Sequence, residues 1–83
     1  MTQDDLIYEI KRTMERSRDR YGEYASTHEA LGVAVEEWDE LRSAIQSNAQ
    51  ASIESECIDL AAVLIRLAVM VREHNYQHER SMK

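Results

Sequence analysis

The sequence predicts an all-α fold in which three helices per chain join a partner in a four-helix-bundle-type core. Three observations carry that expectation. The 83 residues contain no proline and only two glycines, while Ala, Leu, Glu and Arg are frequent, so little interrupts a helix. Apolar residues recur at steps of three and four, the spacing that lines one side of a helix. The stretch Ile58 to Val71 is apolar nearly all round its circumference, and such a helix must be covered on every side. Two amphipathic neighbours in one short chain cannot do so, which leads to an expected dimer or tetramer.

The first helix is expected over residues 3–20. Thr2 is its cap, and Asp4 and Asp5 favour its opening turn. Leu6, Ile7, Ile10, Met14, Ser17 and Tyr21 follow at helical steps, opposite Lys11, Arg12, Arg16, Arg18 and Arg20. That basic cluster reads either as a solvated face or as a phosphate-binding one, since an anionic substrate needs cations on an acidic protein.

Gly22 breaks the pattern, and YGEYAST reads as a connection. Ser26 with Glu29 forms S-x-x-E, a capping box that opens a second helix over 27–46. Its apolar stripe is Ala30, Leu31, Ala34, Trp38, Leu41 and Ile45. Trp38 is expected in the core rather than as a base-stacking platform. His28, in the first turn, reads as an exposed imidazole or as a substrate contact. SNAQAS supplies the next turn, and Ser52 caps a third helix over 52–74. Cys57 falls on its apolar face as a small core residue, and the tail HNYQHERSMK is expected to fray.

The acids stand out against this pattern. Glu37 and Glu40 are three apart, as are Glu56 and Asp59, and Leu41 to Ser55 separate the pairs. That length finishes one helix, turns, and starts an antiparallel partner with the pairs facing each other. Glu37 and Glu40 share a strip with Val33 and Ala44 beside the core, whereas Glu36 and Asp39 fall outside it. Glu56 and Asp59 lie in line with Val63 and Met70. Clustered carboxylates on half-buried faces repel and lose hydration, and a hard divalent cation is the usual compensation. The competing reading is a solvated surface with helix-start acids favouring the dipole. Arg66, two turns beyond Asp59, either pairs with an acid or reaches a substrate phosphate.

EEWDEL followed by SECIDLAAVLIRLA, with the lead-in HEALGVAVEEWDEL, resembles the ExxE…ExxD signature of the MazG-type all-α nucleoside triphosphate pyrophosphohydrolases. The resemblance covers about residues 21–72. It implies Mg²⁺-dependent hydrolysis of a nucleoside triphosphate to the monophosphate and pyrophosphate, with Mn²⁺ as a substitute ion. It implies Glu37, Glu40, Glu56 and Asp59 as the metal-binding acids, with Glu37 and Glu40 as the catalytic ones. Arg66, Lys11, Arg12 and His28 are candidates for contacts to the substrate. Larger members continue past the third helix with basic, base-recognising segments. This chain ends there, so a non-catalytic helical interaction module and a nucleotide-sensing subunit stand as alternatives.

Other classes find no support. The net charge of −6 argues against an extended nucleic-acid surface. One cysteine allows no internal disulfide and fits a reducing compartment. The opening MTQDD is unlike a signal peptide, and the apolar run carries Asp59 and Arg66 and is too short for a bilayer. A soluble, cytoplasmic protein without a membrane partner is expected. His74 and His78 are four apart but lack a third zinc ligand. There is no Gly-rich phosphate loop, no G-x-S-x-G, and no di-iron ExxH pair.

Overall fold

A computed structural model of the chain describes the backbone of residues 1–81 and the side chains of residues 1–74. The order is α1 (Gln3–Tyr21), α2 (Thr27–Gln46) and α3 (Gln50–Ser81), with no strand among the described residues. The fold is all-α. Both α1 and α2 pack on α3, and they do not pack on each other. The third helix is therefore the spine, and the gap between the other two opens a cleft along it.

Local chemistry explains each boundary. The Asp5 N–H donates to Thr2 Oγ1 at 3.2 Å and the Thr2 N–H donates to Asp5 Oδ2 at 2.9 Å, a reciprocal box that starts α1. Gly22 ends α1 at φ 79°, a backbone that a side chain at this position would strain. Ser26 Oγ accepts from the Glu29 N–H at 3.1 Å to start α2, while the Glu29 carboxylate reaches back to the Ala25 N–H at 3.2 Å. The end of α2 is a Schellman turn: the Ala49 N–H donates to the Ala44 carbonyl and the Asn48 N–H to the Ile45 carbonyl, both at 3.1 Å. Asn48 takes the left-handed position at φ 56°.

That turn is shorter than SNAQAS suggests. It uses Ser47 to Ala49, so the Ile53 N–H already bonds the Ala49 carbonyl at 2.9 Å and α3 begins at Gln50. Ser52, expected as the cap, lies inside the helix. At the far end the helix runs to Ser81 rather than ending near His74. His78, which the sequence places four residues after His74, lies outside the described side chains.

The core is small: Ala30, Leu41 and Ala44 on α2 meet Ala62 and Val63 on α3. Small side chains let these two helices approach closely. The apolar stripe expected on α2 divides in two. Ala30 and Leu41 face inward with Ala44, while Leu31, Trp38 and Ile45 are exposed, Trp38 by 54%. At about 100° per residue these two sets sit roughly a quarter-turn apart. Sequence periodicity merges them because both are apolar. Trp38 is thus not a core residue of the single chain, and neither is Cys57, which is exposed on α3. Tyr21 and Ile7 are exposed too, and α1 buries no residue fully.

Candidate metal centre and its cleft

The inward strip of α2 continues from Ala30 through Val33 to Glu37 and then Leu41, so helical spacing alone carries a carboxylate into the packed face. On α3 the corresponding strip runs Glu56, Asp59, Ala62, Val63, Arg66. Because the two helices are antiparallel across a three-residue turn, Glu37 arrives opposite Glu56 and Asp59. Their carboxylate oxygens lie within 4.8 Å of one another, and all three residues are half-buried.

Glu37 Oε2 and Glu56 Oε2 are buried and have no hydrogen-bond partner. An ionised carboxylate offers only acceptors. Acids facing one another therefore remain unsatisfied until one takes a proton or a cation arrives. Burial, aided by the charges of Glu40, Asp59 and Glu56, pushes the Glu37 carboxyl up to about 7 from an ordinary 4.5. Burial also raises Glu56, with Glu40 next among the causes. Asp59 is raised by burial and by Glu40, while the positive charge of Arg16 pulls the other way.

Mg²⁺ holds oxygens at about 2.1 Å, so two of its ligands stand at most about 4 Å apart. The observed spread closes to that span with a side-chain adjustment of about an ångström. The donor set fits a hard divalent ion: all oxygens, two of them orphaned. Glu40, expected as a fourth ligand, is exposed and not part of the 4.8 Å trio, yet its side chain comes within hydrogen-bonding reach of Glu37 and Glu56 and its charge acts on all three members.

A cleft of about 730 Å³ opens beside these acids, between the second half of α1, the 22–26 connection, α2 and α3. Glu37 and Asp59 line one part; Arg16, Arg20, Tyr21 and Tyr24 line another. Arg66 forms the back wall and is only 8% exposed. It donates from Nη1 to Ser17 Oγ at 2.8 Å and from Nη2 to the Gly22 carbonyl at 2.7 Å, and its plane covers the Tyr24 ring 4.2 Å from the centroid. Of the two roles that the sequence left open for Arg66, pairing with an acid is not what it does here. Its partners are a hydroxyl, a carbonyl and a ring, and it ties α1 and the connection to α3. Burial pushes the Tyr24 phenol up, and the Arg66 charge opposes that rise.

The other sequence-derived substrate residues lie elsewhere. Lys11, Arg12 and His28 do not line the cleft, and all are exposed. Arg12 is engaged with Tyr8, donating to its hydroxyl at 3.2 Å. Arg16 and Arg20 line the cleft, and Lys11 and Arg12 do not. The signal that separates them is phase: Arg16 and Arg20 flank Thr13 and Ser17, which face the cleft. Glu36, which falls outside the apolar stripe, also lines the cleft and is not remote from the site.

No helix among the described residues is long and apolar enough to cross a membrane. No protein-family model matches the chain, and comparison with curated proteins and with solved structures returns no match.

Proposed function

We propose that the chain is a Mg²⁺-dependent nucleoside triphosphate pyrophosphohydrolase, acting as a homo-oligomer. The observation that carries this is the trio of Glu37, Glu56 and Asp59, with two buried oxygens that nothing in the chain satisfies. Its positions coincide with three of the four acids of the MazG-type ExxE…ExxD signature, and the all-α fold agrees with that resemblance.

When bound, Mg²⁺ or Mn²⁺ supplies charge stabilisation to phosphate oxygens and lowers the pKa of water. Glu37, Glu56 and Asp59 are the residues that would hold it. Glu40 remains exposed at the edge of the trio, free of strong ligation, and suits the removal or orientation of a water proton. The adjoining cleft lies within the roughly 300–1,000 Å³ of small-molecule sites. Arg66 keeps that cleft in shape.

The second copy follows from surface. Leu31, Val35, Trp38 and Ile45 on α2, with Leu64, Ile65 and Val69 on α3, are the exposed apolar side chains available to it. Two such chains bring α2 and α3 together twice, which makes a four-helix core.

A binding-only role, as a nucleotide sensor or interaction module, draws on the exposure of Glu40 at the edge of the trio. Pyrophosphate release over the common ribo- and deoxyribonucleoside triphosphates, with and without Mg²⁺, separates the two. Metal-dependent release that falls at least about 100-fold in Asp59→Asn supports the enzyme. Tight nucleotide binding without release supports the sensor, and equal release by Asp59→Asn removes the proposed site.

A further inference from the structure

We infer that the arginine-lined part of the cleft is an anion subsite continuous with the acid trio, in which Arg16 and Arg20 position the phosphates of a metal-bridged polyphosphate. This rests on the metal-site reading above, and it deepens that reading by assigning two residues that the sequence resemblance leaves unassigned.

The cleft offers three guanidinium groups, and they are not equivalent. Arg66 is spent on Ser17, the Gly22 carbonyl and the Tyr24 ring. Arg16 and Arg20 are exposed, and among the described residues neither has a carboxylate within ion-pair distance. Arg16 makes one side-chain hydrogen bond, donating to Thr13 Oγ1 at 3.2 Å. Arg20 rests on the Tyr21 ring, 5.2 Å from its centroid. Both stand one helical turn apart on α1 and both line the cleft that Glu37 and Asp59 also line. An acidic protein with a net charge of −6 has ample carboxylates to pair two arginines. Leaving both outside any ion pair beside a cleft of about 730 Å³, with Arg16 acting on Asp59 through its charge alone, therefore points to an anion from outside the chain.

The chemistry of that anion follows from its neighbours. Guanidinium forks match phosphate oxygens in pairs. Glu36, Glu37 and Asp59 line the same cleft, so a bare anion meets repulsion there. A cation held by the trio cancels that repulsion. A ligand with phosphates at both ends of the gap gains from both, and by linkage the metal and the anion tighten each other's binding by the same factor. Inorganic pyrophosphate and the phosphate arm of a nucleotide share this chemistry.

Inorganic pyrophosphate is the probe, measured by calorimetry on the full chain with saturating Mg²⁺. Beside it, the thermal shift caused by Mg²⁺ alone reports on the acid trio. Arg16→Gln/Arg20→Gln should weaken pyrophosphate binding at least about 10-fold and keep the Mg²⁺ shift. Arg16→Lys/Arg20→Lys should fall between it and wild type, because charge survives and the fork does not. Lys11→Gln/Arg12→Gln removes equal charge from the same helix outside the cleft and should bind within about twofold of wild type. Equal losses in the two glutamine pairs would mean net charge alone, and the subsite is overturned. Unchanged binding in Arg16→Gln/Arg20→Gln overturns it as well. A Mg²⁺ shift in wild type without pyrophosphate binding removes the subsite and keeps the metal reading. Arginine-dependent binding without any Mg²⁺ shift removes the metal reading and keeps the subsite. If the phosphate arm of a nucleotide is the natural occupant, a nucleoside triphosphate should compete with pyrophosphate, and failure to compete restricts the subsite to the inorganic anion.

Discussion

The two sides of α3 make opposite use of the same helix. The side toward α1 and α2 carries Glu56, Asp59 and Arg66 among Ala62 and Val63, all buried or half-buried. The other side carries Cys57, Leu64, Ala68 and Val71, all exposed. One helix thus hides its ionisable groups and shows its hydrocarbon. In a self-sufficient monomer the energetics run the other way: burying a Leu or Val contributes about 1.5–3 kcal/mol, and burying an unsatisfied carboxylate costs free energy. Both inversions make sense if each side meets something. The proposed partner is a cation on the inner side and a second copy of the chain on the outer side.

The largest expected effect comes from spoiling the outer side. Trp38 is 54% exposed although it is the only tryptophan and the largest apolar surface on α2. Trp38→Glu should weaken self-association at least about 100-fold, or about 3 kcal/mol, as for an aromatic anchor at an interface centre. Sedimentation equilibrium reads this directly, and wild-type Tm should rise with protein concentration while that of the variant should not. A wild-type monomer at micromolar concentration, melting independently of concentration, would erase the difference between the two sides.

A smaller effect probes the inner side. Arg66→Met keeps an unbranched apolar stem and removes the guanidinium with both donors, leaving the Gly22 carbonyl and the Ser17 hydroxyl without their partner and the Tyr24 ring uncovered. The expected loss is about 2–3 kcal/mol in urea unfolding, the scale for breaking charge-assisted bonds at a buried site. A loss below about 0.5 kcal/mol would show that the cleft wall stands without this tie.

These two residues mark where the sequence is legible and where it is not. Glu37, Glu56 and Asp59 were readable because their meeting depends on two local periods and one short turn. The N-terminal caps of α1 and α2 were readable for the same reason. Arg66 was not, because its partners lie 49 and 44 residues away and no period encodes them. Trp38 was misread because an inner and an outer apolar face overlap on one wheel, and apolar periodicity alone cannot divide the buried face from the exposed one. Ser52 lost to Asn48 as the marker of the turn, since a left-handed asparagine closes the helix in fewer residues than a new serine cap requires.

The smallest effect, and the most specific, is in the pH dependence of the metal-free protein. The Glu37 carboxyl is pushed up to about 7 in the fold from about 4.5. Between those values the folded chain holds a proton that the unfolded chain has released. Stability must then fall as pH rises through this window. Glu56 and Asp59 are raised as well and act in the same direction. Asp5 acts oppositely, being held below its ordinary 3.8 by the Thr2 box, but its window lies at lower pH and does not overlap. Partial solvent access screens the effect, so the loss between about pH 5 and pH 7.5 should be on the order of 1–2 kcal/mol, measured in a chelator at fixed protein concentration. Mg²⁺ should reverse the slope, because its ligands bind deprotonated and the site strengthens as pH rises. Glu37→Gln should flatten the metal-free slope and remove the Mg²⁺ response together. Glu54→Gln, exposed on the far side of α3, should change neither. If the metal-free protein instead gains stability between pH 5 and 7.5, the trio is held ionised by partners within the fold, and the acids are structural rather than a seat for a cation.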